Sequence, residues 1–429
     1  MLGAVTTPND NEVLTTRTKG LRLFEPVPVA DVRQVLQRQP LAITNDLFSW
    51  PLLALDDDAL QHNITTMADL CSERKLWHAP HVKTPMSGQI WARQKKAGAW
   101  AATVASLQQL RTAYSWGARR LLLANELVDP RDAVWLRAMM VADPDLDLWL
   151  QVDSFDGVQL LAAYLTRMEA ANDRVHILIE FGVKDGRTGV RTAEQALALA
   201  QAVAHAGLRV SGITGFEMPA ATGDAPSGAV AIWCDRMIVA AEAIVGNVPT
   251  AWPFVISAGG SAYLDVVIDK LADPTGARQL VVRSGAYVTH DHGHYARLNP
   301  WARLPGNRSL HQAITIWTQV VSAPQSGWAY VNAGRRDISF DLGLPVPLWR
   351  QSPGGPRVNF APGQALVTEL NDQHAFLKLS GVDLCPGDLV GLGISHPCTA
   401  LDKWRIGLLT HDDPVTGQTM VIDLYTLDF

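Results

Sequence analysis

A chain of 429 residues that is 48% hydrophobic and 18% charged is a folded globular protein. It is longer than one ordinary core sustains, so one large domain with a smaller one is expected. A formal net charge of -6, with no basic run, excludes a nucleic-acid backbone as partner.

Four widely spaced cysteines, Cys71, Cys234, Cys385 and Cys398, form no C-x-x-C pair, which suits a reducing compartment. No stretch reaches the ~20 apolar residues of a membrane span. The N-terminus has no signal-peptide pattern, so a cytoplasmic protein is expected. Residues 1–45 are proline-punctuated, with a short helical candidate at Val29–Arg38. Leu52–Leu55 reads as a strand, and Asp56, Asp57 and Asp58 suit the start of a helix, where carboxylates complement the dipole.

An alternation follows. Strand candidates are Leu76–Lys83, Ala101–Ala105, Arg119–Asn125, Leu146–Asp153, Val175–Gly182, Leu208–Phe216, Phe254–Ala258 and Gln279–Tyr287. Helical periods separate them, among them Ser87–Gly98, Gln108–Trp116, Arg131–Met140, Gly157–Ala170, Ala193–Ala206, Ala229–Val245 and Ala262–Leu271. Strands alternating with helices predict parallel pairing, and eight such units predict a closed (β/α)8 barrel. After Asp291 the texture becomes that of an antiparallel β-domain, with runs at Ala313–Val321, Gly363–Glu369, Ala375–Leu379, Trp404–Thr410 and Gln418–Leu424. The expected organisation is an N-terminal segment packing on the β-domain (1–45), the barrel (46–290) and the β-domain (291–429).

Barrels gather their chemistry at the carboxyl ends of their strands. Lys83 ends the first strand, and a neutral amine there can attack a carbonyl. The fifth strand closes through Gly186-Arg187-Thr-Gly189, whose arginine offers a fork of donors to an anion or phenolate. The seventh closes through Ala258-Gly259-Gly260-Ser261 and opens a helix, so backbone N–H groups can converge on a phosphate. The eighth ends in Arg283-Ser-Gly-Ala-Tyr287. A lysine, an arginine and a phosphate cradle on one rim describe a pyridoxal phosphate site. In the β-domain, His396 and Cys398 of Ile394-Ser-His396-Pro-Cys398-Thr are two apart on extended chain and so share one side. An imidazole and a thiolate are zinc ligands.

These motifs, in this order, resemble the D-serine dehydratase and D-threonine aldolase group of fold-type III pyridoxal phosphate enzymes, relatives of alanine racemase. The resemblance runs over residues 50–429, through His81-Val-Lys83-Thr, Gly186-Arg187-Thr-Gly189, Ala258-Gly259-Gly260, Arg283-Ser-Gly-Ala-Tyr287, Asp372-Gln-His374 and His396-Pro-Cys398. It implies an alanine racemase-like barrel with a C-terminal antiparallel β-domain. Lys83 corresponds to the Schiff-base lysine and, with His396, is expected to be catalytic. Arg187, Thr214, Gly259, Gly260, Ser261 and Tyr287 are expected to bind the cofactor. His396 and Cys398 are expected to bind a divalent metal, zinc before manganese or magnesium because one ligand is sulfur.

The group's aldolase branch has His-x-Asp at that pair, so Cys398 points toward dehydration of a D-β-hydroxy-α-amino acid to a 2-oxo acid and ammonia. Retro-aldol cleavage to glycine and an aldehyde is the alternative. A racemase would need a second acid/base, for which Tyr295, His292 and His374 are candidates, and a non-catalytic cofactor carrier would need neither metal pair nor second domain. The chain departs from the family at Gly215-Phe216-Glu217-Met218-Pro219, where Glu217 is expected to meet a cationic or hydroxylated substrate group. A homodimer is also implied.

Overall fold

The computed structural model describes residues 12–165 and 172–429. The last part of the expected Gly157–Ala170 helix and residues 1–11 lie outside these.

Eight parallel strands form one sheet: β1 (Trp77–His78), β2 (Ala102–Val104), β3 (Arg120–Glu126), β4 (Asp147–Val152), β5 (Val175–Glu180), β6 (Val210–Thr214), β7 (Thr250–Ala258) and β8 (Arg278–Val282). From β2 to β8 each pairs with its neighbour in chain order, and β8 pairs with β1. The ring closes beyond β1, where His81 bridges Thr103 in parallel and the Val82 N–H donates to the Thr103 carbonyl at 3.0 Å. This is the barrel expected from the alternation, with β1 shorter than the Leu76–Lys83 run because the chain turns at Pro80. Local signals set the helices between. Asp56 accepts from the Ala59 N–H at 2.7 Å, capping Asp57–Glu73, and Thr192 caps Ala193–His205. The amino-terminal end of the barrel is plugged by stacked rings: Trp77 on Trp100 at 4.6 Å, and Trp149 on His176 at 4.1 Å. The plug leaves the carboxyl ends as the open mouth.

The second unit is an 11-stranded sheet. Its centre is Ile314–Ser322, flanked by Leu389–Gly393 on one side and Leu52–Asp56 on the other. Pairing is antiparallel throughout, except that Leu52–Asp56 runs parallel to Ile406–Asp412. A strand from before the barrel thus completes the sheet that follows it. Leu14, Leu21, Val29, Leu36 and Phe48 pack with Trp317, Trp349, Leu408 and Leu424 in one buried cluster. No helix among the described residues is long and apolar enough to cross a membrane.

Candidate active site

The barrel mouth and the β-domain enclose a cavity of about 590 Å³, within the range that holds a cofactor or small substrate. Lys83, Arg187, Gly260, Ser261, His396 and Cys398 all line it. These residues come from three strand ends of the barrel, those of β1, β5 and β7, and from the loop after Leu389–Gly393.

Lys83 sits in the turn between β1 and helix Gly88–Lys96. That turn is pressed against the loop after β8. A Cβ on Gly285 would stand 2.5 Å from the His81 carbonyl oxygen and 2.9 Å from Thr84 Oγ1, so only glycine lets the two loops approach this closely. His81 lines the cavity too. Burial, and then the charges of Arg283, Lys83 and Arg187, push its pKa well below the ordinary value, so its imidazole is neutral. Its Nδ1 is buried without a partner.

His396 and Cys398 flank a short helix start at Pro397. Asp341 accepts from His396 Nδ1 at 2.6 Å, and Thr399 Oγ1 donates to the same carboxylate at 2.7 Å. This fixes the ring and leaves its other nitrogen for a ligand, as carboxylates behind metal-bound histidines do. Cys398 Sγ lies 3.3 Å from Thr84 Oγ1. Burial raises the thiol pKa, but the neighbouring His396 and Thr84 outweigh it and the net shift is downward. A lowered thiol beside an oriented imidazole is a donor set that zinc favours.

Of the other expected cofactor contacts, Tyr287, Thr214 and Gly259 do not line the cavity, and Gly260 lines it with its N–H engaged elsewhere. Tyr287 is buried, its hydroxyl accepting from Gln94 Nε2 at 2.9 Å and its ring edge-on to His78. Thr214 is buried under the mouth, where its hydroxyl accepts from Arg283 Nη1 at 2.8 Å and donates to the Ser257 carbonyl at 3.1 Å. The Gly259 and Gly260 N–H groups donate to the Glu217 carboxylate, at 3.2 and 2.7 Å. Glu217 is fully buried and does not line the cavity, so it is not placed as the expected substrate contact. Of the candidate second acids, Tyr295 lines the cavity, whereas His292 packs on Gly393 and His374 lies exposed in a hairpin turn.

Arg283 escapes notice in the sequence, where only its motif stands out. Its guanidinium is buried on the cavity wall, bonded to Thr214 and to the Gly215 carbonyl. Glu180, Asn125 and Gln151 complete that wall. Among the described residues, the backbone N–H groups of Ser261, Gly285 and Ala286 meet no acceptor in the chain. Free N–H groups, two arginines and a lysine on one wall fit pyridoxal phosphate. The fit rests on the loops after β7 and β8 rather than on the Gly259–Gly260 amides.

Residues 55–262 match the model "Alanine racemase, N-terminal domain", and residues 313–409 match "Putative serine dehydratase domain". The chain belongs to the fold-type III pyridoxal phosphate enzymes. This fold-type III chain is 26% identical over 337 residues to the D-threo-3-hydroxyaspartate dehydratase of Delftia sp. (strain HT23), covering 76% of this chain and 83% of that protein. It is 25% identical over 371 residues to the 3-hydroxy-D-aspartate aldolase of Paracoccus denitrificans (strain Pd 1222), covering 83% and 88%. Among solved structures, the D-threonine aldolase of Filomicrobium marinum superposes with a TM-score of 0.71 at 20% identity, over 90% of this chain and 96% of that one. The enzyme's curated relatives are thus lyases of both kinds.

Proposed function

We propose that this enzyme is a pyridoxal phosphate- and divalent metal-dependent lyase that dehydrates D-β-hydroxy-α-amino acids to a 2-oxo acid and ammonia. The observation that carries the reading is the pairing of Cys398 and His396 on the same cavity wall system as Lys83. A thiolate and an imidazole favour zinc, and zinc near the substrate acts as a Lewis acid on a leaving hydroxyl. Bound pyridoxal phosphate supplies the electron sink for loss of the α-proton.

The chain's own groups divide the remaining work. Lys83 is the amine that anchors the cofactor and, once released, the base that takes the α-proton. Arg187 makes no ion pair among the described residues and reaches over the Phe216 ring at 5.5 Å, so its guanidinium is free to meet the cofactor ring oxygen or a substrate carboxylate. Ser261 would contact the phosphate. Asp341 holds the His396 ring in place. Neutral His81 contributes no charge beside Lys83.

Retro-aldol cleavage is the second reading, because aldolases stand beside a dehydratase among the relatives. Cytoplasmic location is supported by four unpaired cysteines. A homodimer is supported by the exposed apolar pair Phe340 and Leu344 on either side of Asp341. Cys398→Ala tests the metal role: bound zinc, measured by atomic absorption, and activity should fall together. Full activity in metal-stripped protein would overturn it.

A further inference from the structure

The Gly-Gly turn after β7 has the composition of an anion cradle, yet its two glycine N–H groups face away from the cavity. Both are taken by Glu217, whose carboxylate is fully buried and is not part of the cavity wall. The contact is close: a Cβ on Gly260 would stand 2.9 Å from Glu217 Oε1 and 3.0 Å from Phe216 Cε2. Gly259 sits at φ +89, a conformation that favours glycine. Arg283 ties the same region from the other side, bonding Thr214 Oγ1 and the Gly215 carbonyl at the end of β6. The ends of β6, β7 and β8 are therefore cross-linked by one buried carboxylate and one buried guanidinium, and Ser261 lines the cavity directly after the gripped turn.

We propose that Glu217 is the positioning residue of the phosphate site: it grips the Gly259–Gly260 turn from behind so that Ser261 lines the cavity with Gly285 and Ala286. This rests on the reading that the cavity takes a pyridoxal phosphate. Glu217 acts through the backbone and touches no ligand. Removing its carboxylate leaves two buried N–H groups without acceptors and frees the turn to reorient. The loss should fall on the anion, because Lys83 and the rest of the wall are untouched.

Four probes on cofactor-free protein separate the possibilities: pyridoxal 5'-phosphate and pyridoxal by absorbance, inorganic phosphate by calorimetry, and melting temperature. Glu217→Ala should bind pyridoxal 5'-phosphate about tenfold or more weakly, with pyridoxal affinity unchanged. Glu217→Gln keeps one acceptor oxygen and should fall between, and it serves alone if the alanine variant does not fold. A lower melting temperature with an unchanged ratio of the two pyridoxal affinities would reduce Glu217 to a structural residue and overturn the proposal. A rising ratio would overturn it the other way, making Glu217 a competitor for the anion. If wild-type protein binds neither pyridoxal compound, the cofactor reading fails, and the inorganic phosphate affinities of the variants still decide the role of Glu217.

Discussion

Glu126, Glu180 and Asp153 gather beside the cavity, each with a carboxylate oxygen within 4.8 Å of the others. Burial first, and then the neighbouring Glu180 carboxylate, push the Glu126 carboxyl up to about 9. The folded protein keeps a proton there that the unfolded chain gives up near the ordinary carboxylate value. Stability contributed at acid pH is therefore lost as pH rises from about 5 toward 9. Glu126→Gln keeps the shape and has no proton to lose. Melting curves should favour the variant increasingly from pH 5 to 8.5, by roughly 1–2 kcal/mol at the alkaline end, since Glu126 is screened by partial contact with solvent. Parallel curves would remove the retained proton from the account.

At this scale the sequence is legible where chemistry is local. Lys83, Arg187 and Ser261 stand out at strand ends, His396 and Cys398 as a metal-type pair in the β-domain, and all five line one cavity. It is not legible where a partner is distant. Nothing near Asp341 signals that its carboxylate will turn the His396 ring, 55 residues away. Glu217 reads as a substrate contact and is instead bound to backbone 42 and 43 residues on.

At the scale of elements, the eight barrel strands were legible because both faces of each are covered, which makes the runs apolar and continuous. Leu389–Gly393 was not legible, although it lies against the central strand of the β-domain and leads to His396. Its alternation is broken by Gly391 and Gly393, and their lack of side chains has a cause. A Cβ at Gly391 would stand 2.1 Å from Trp349 Cε2, and one at Gly393 would stand 2.4 Å from His292 Cγ. In the barrel, Gly212 of β6 faces a harder limit, since a Cβ there would lie 2.1 Å from the Val255 carbonyl oxygen of β7. That atom is backbone within a paired strand and cannot move without breaking the ladder. Gly212→Ala should cost about 2–4 kcal/mol, read as a lower urea midpoint at constant m-value. An unchanged midpoint would mean that the β6–β7 pairing is looser than described.

At the scale of the whole molecule, the chain is stitched. Leu52–Asp56 is hydrogen bonded between Ile314–Ser322 and Ile406–Asp412, and the helix that starts at Asp57 belongs to the barrel. Neither unit is complete without the segment that enters the other. The sequence shows a strand at Leu52–Leu55 but not its destination, because pairing across more than 250 residues leaves no local mark. Calorimetry of the full chain should show one cooperative unfolding transition; two well-separated transitions would contradict this coupling.

The central claim is the reaction, and product analysis tests it directly. Protein loaded with zinc and pyridoxal phosphate is incubated with D-threonine and, separately, with D-threo-3-hydroxyaspartate. The account predicts ammonia together with 2-oxobutyrate or oxaloacetate. Glycine with acetaldehyde or glyoxylate would contradict it, and the thiolate of Cys398 would then mark the metal without marking the reaction.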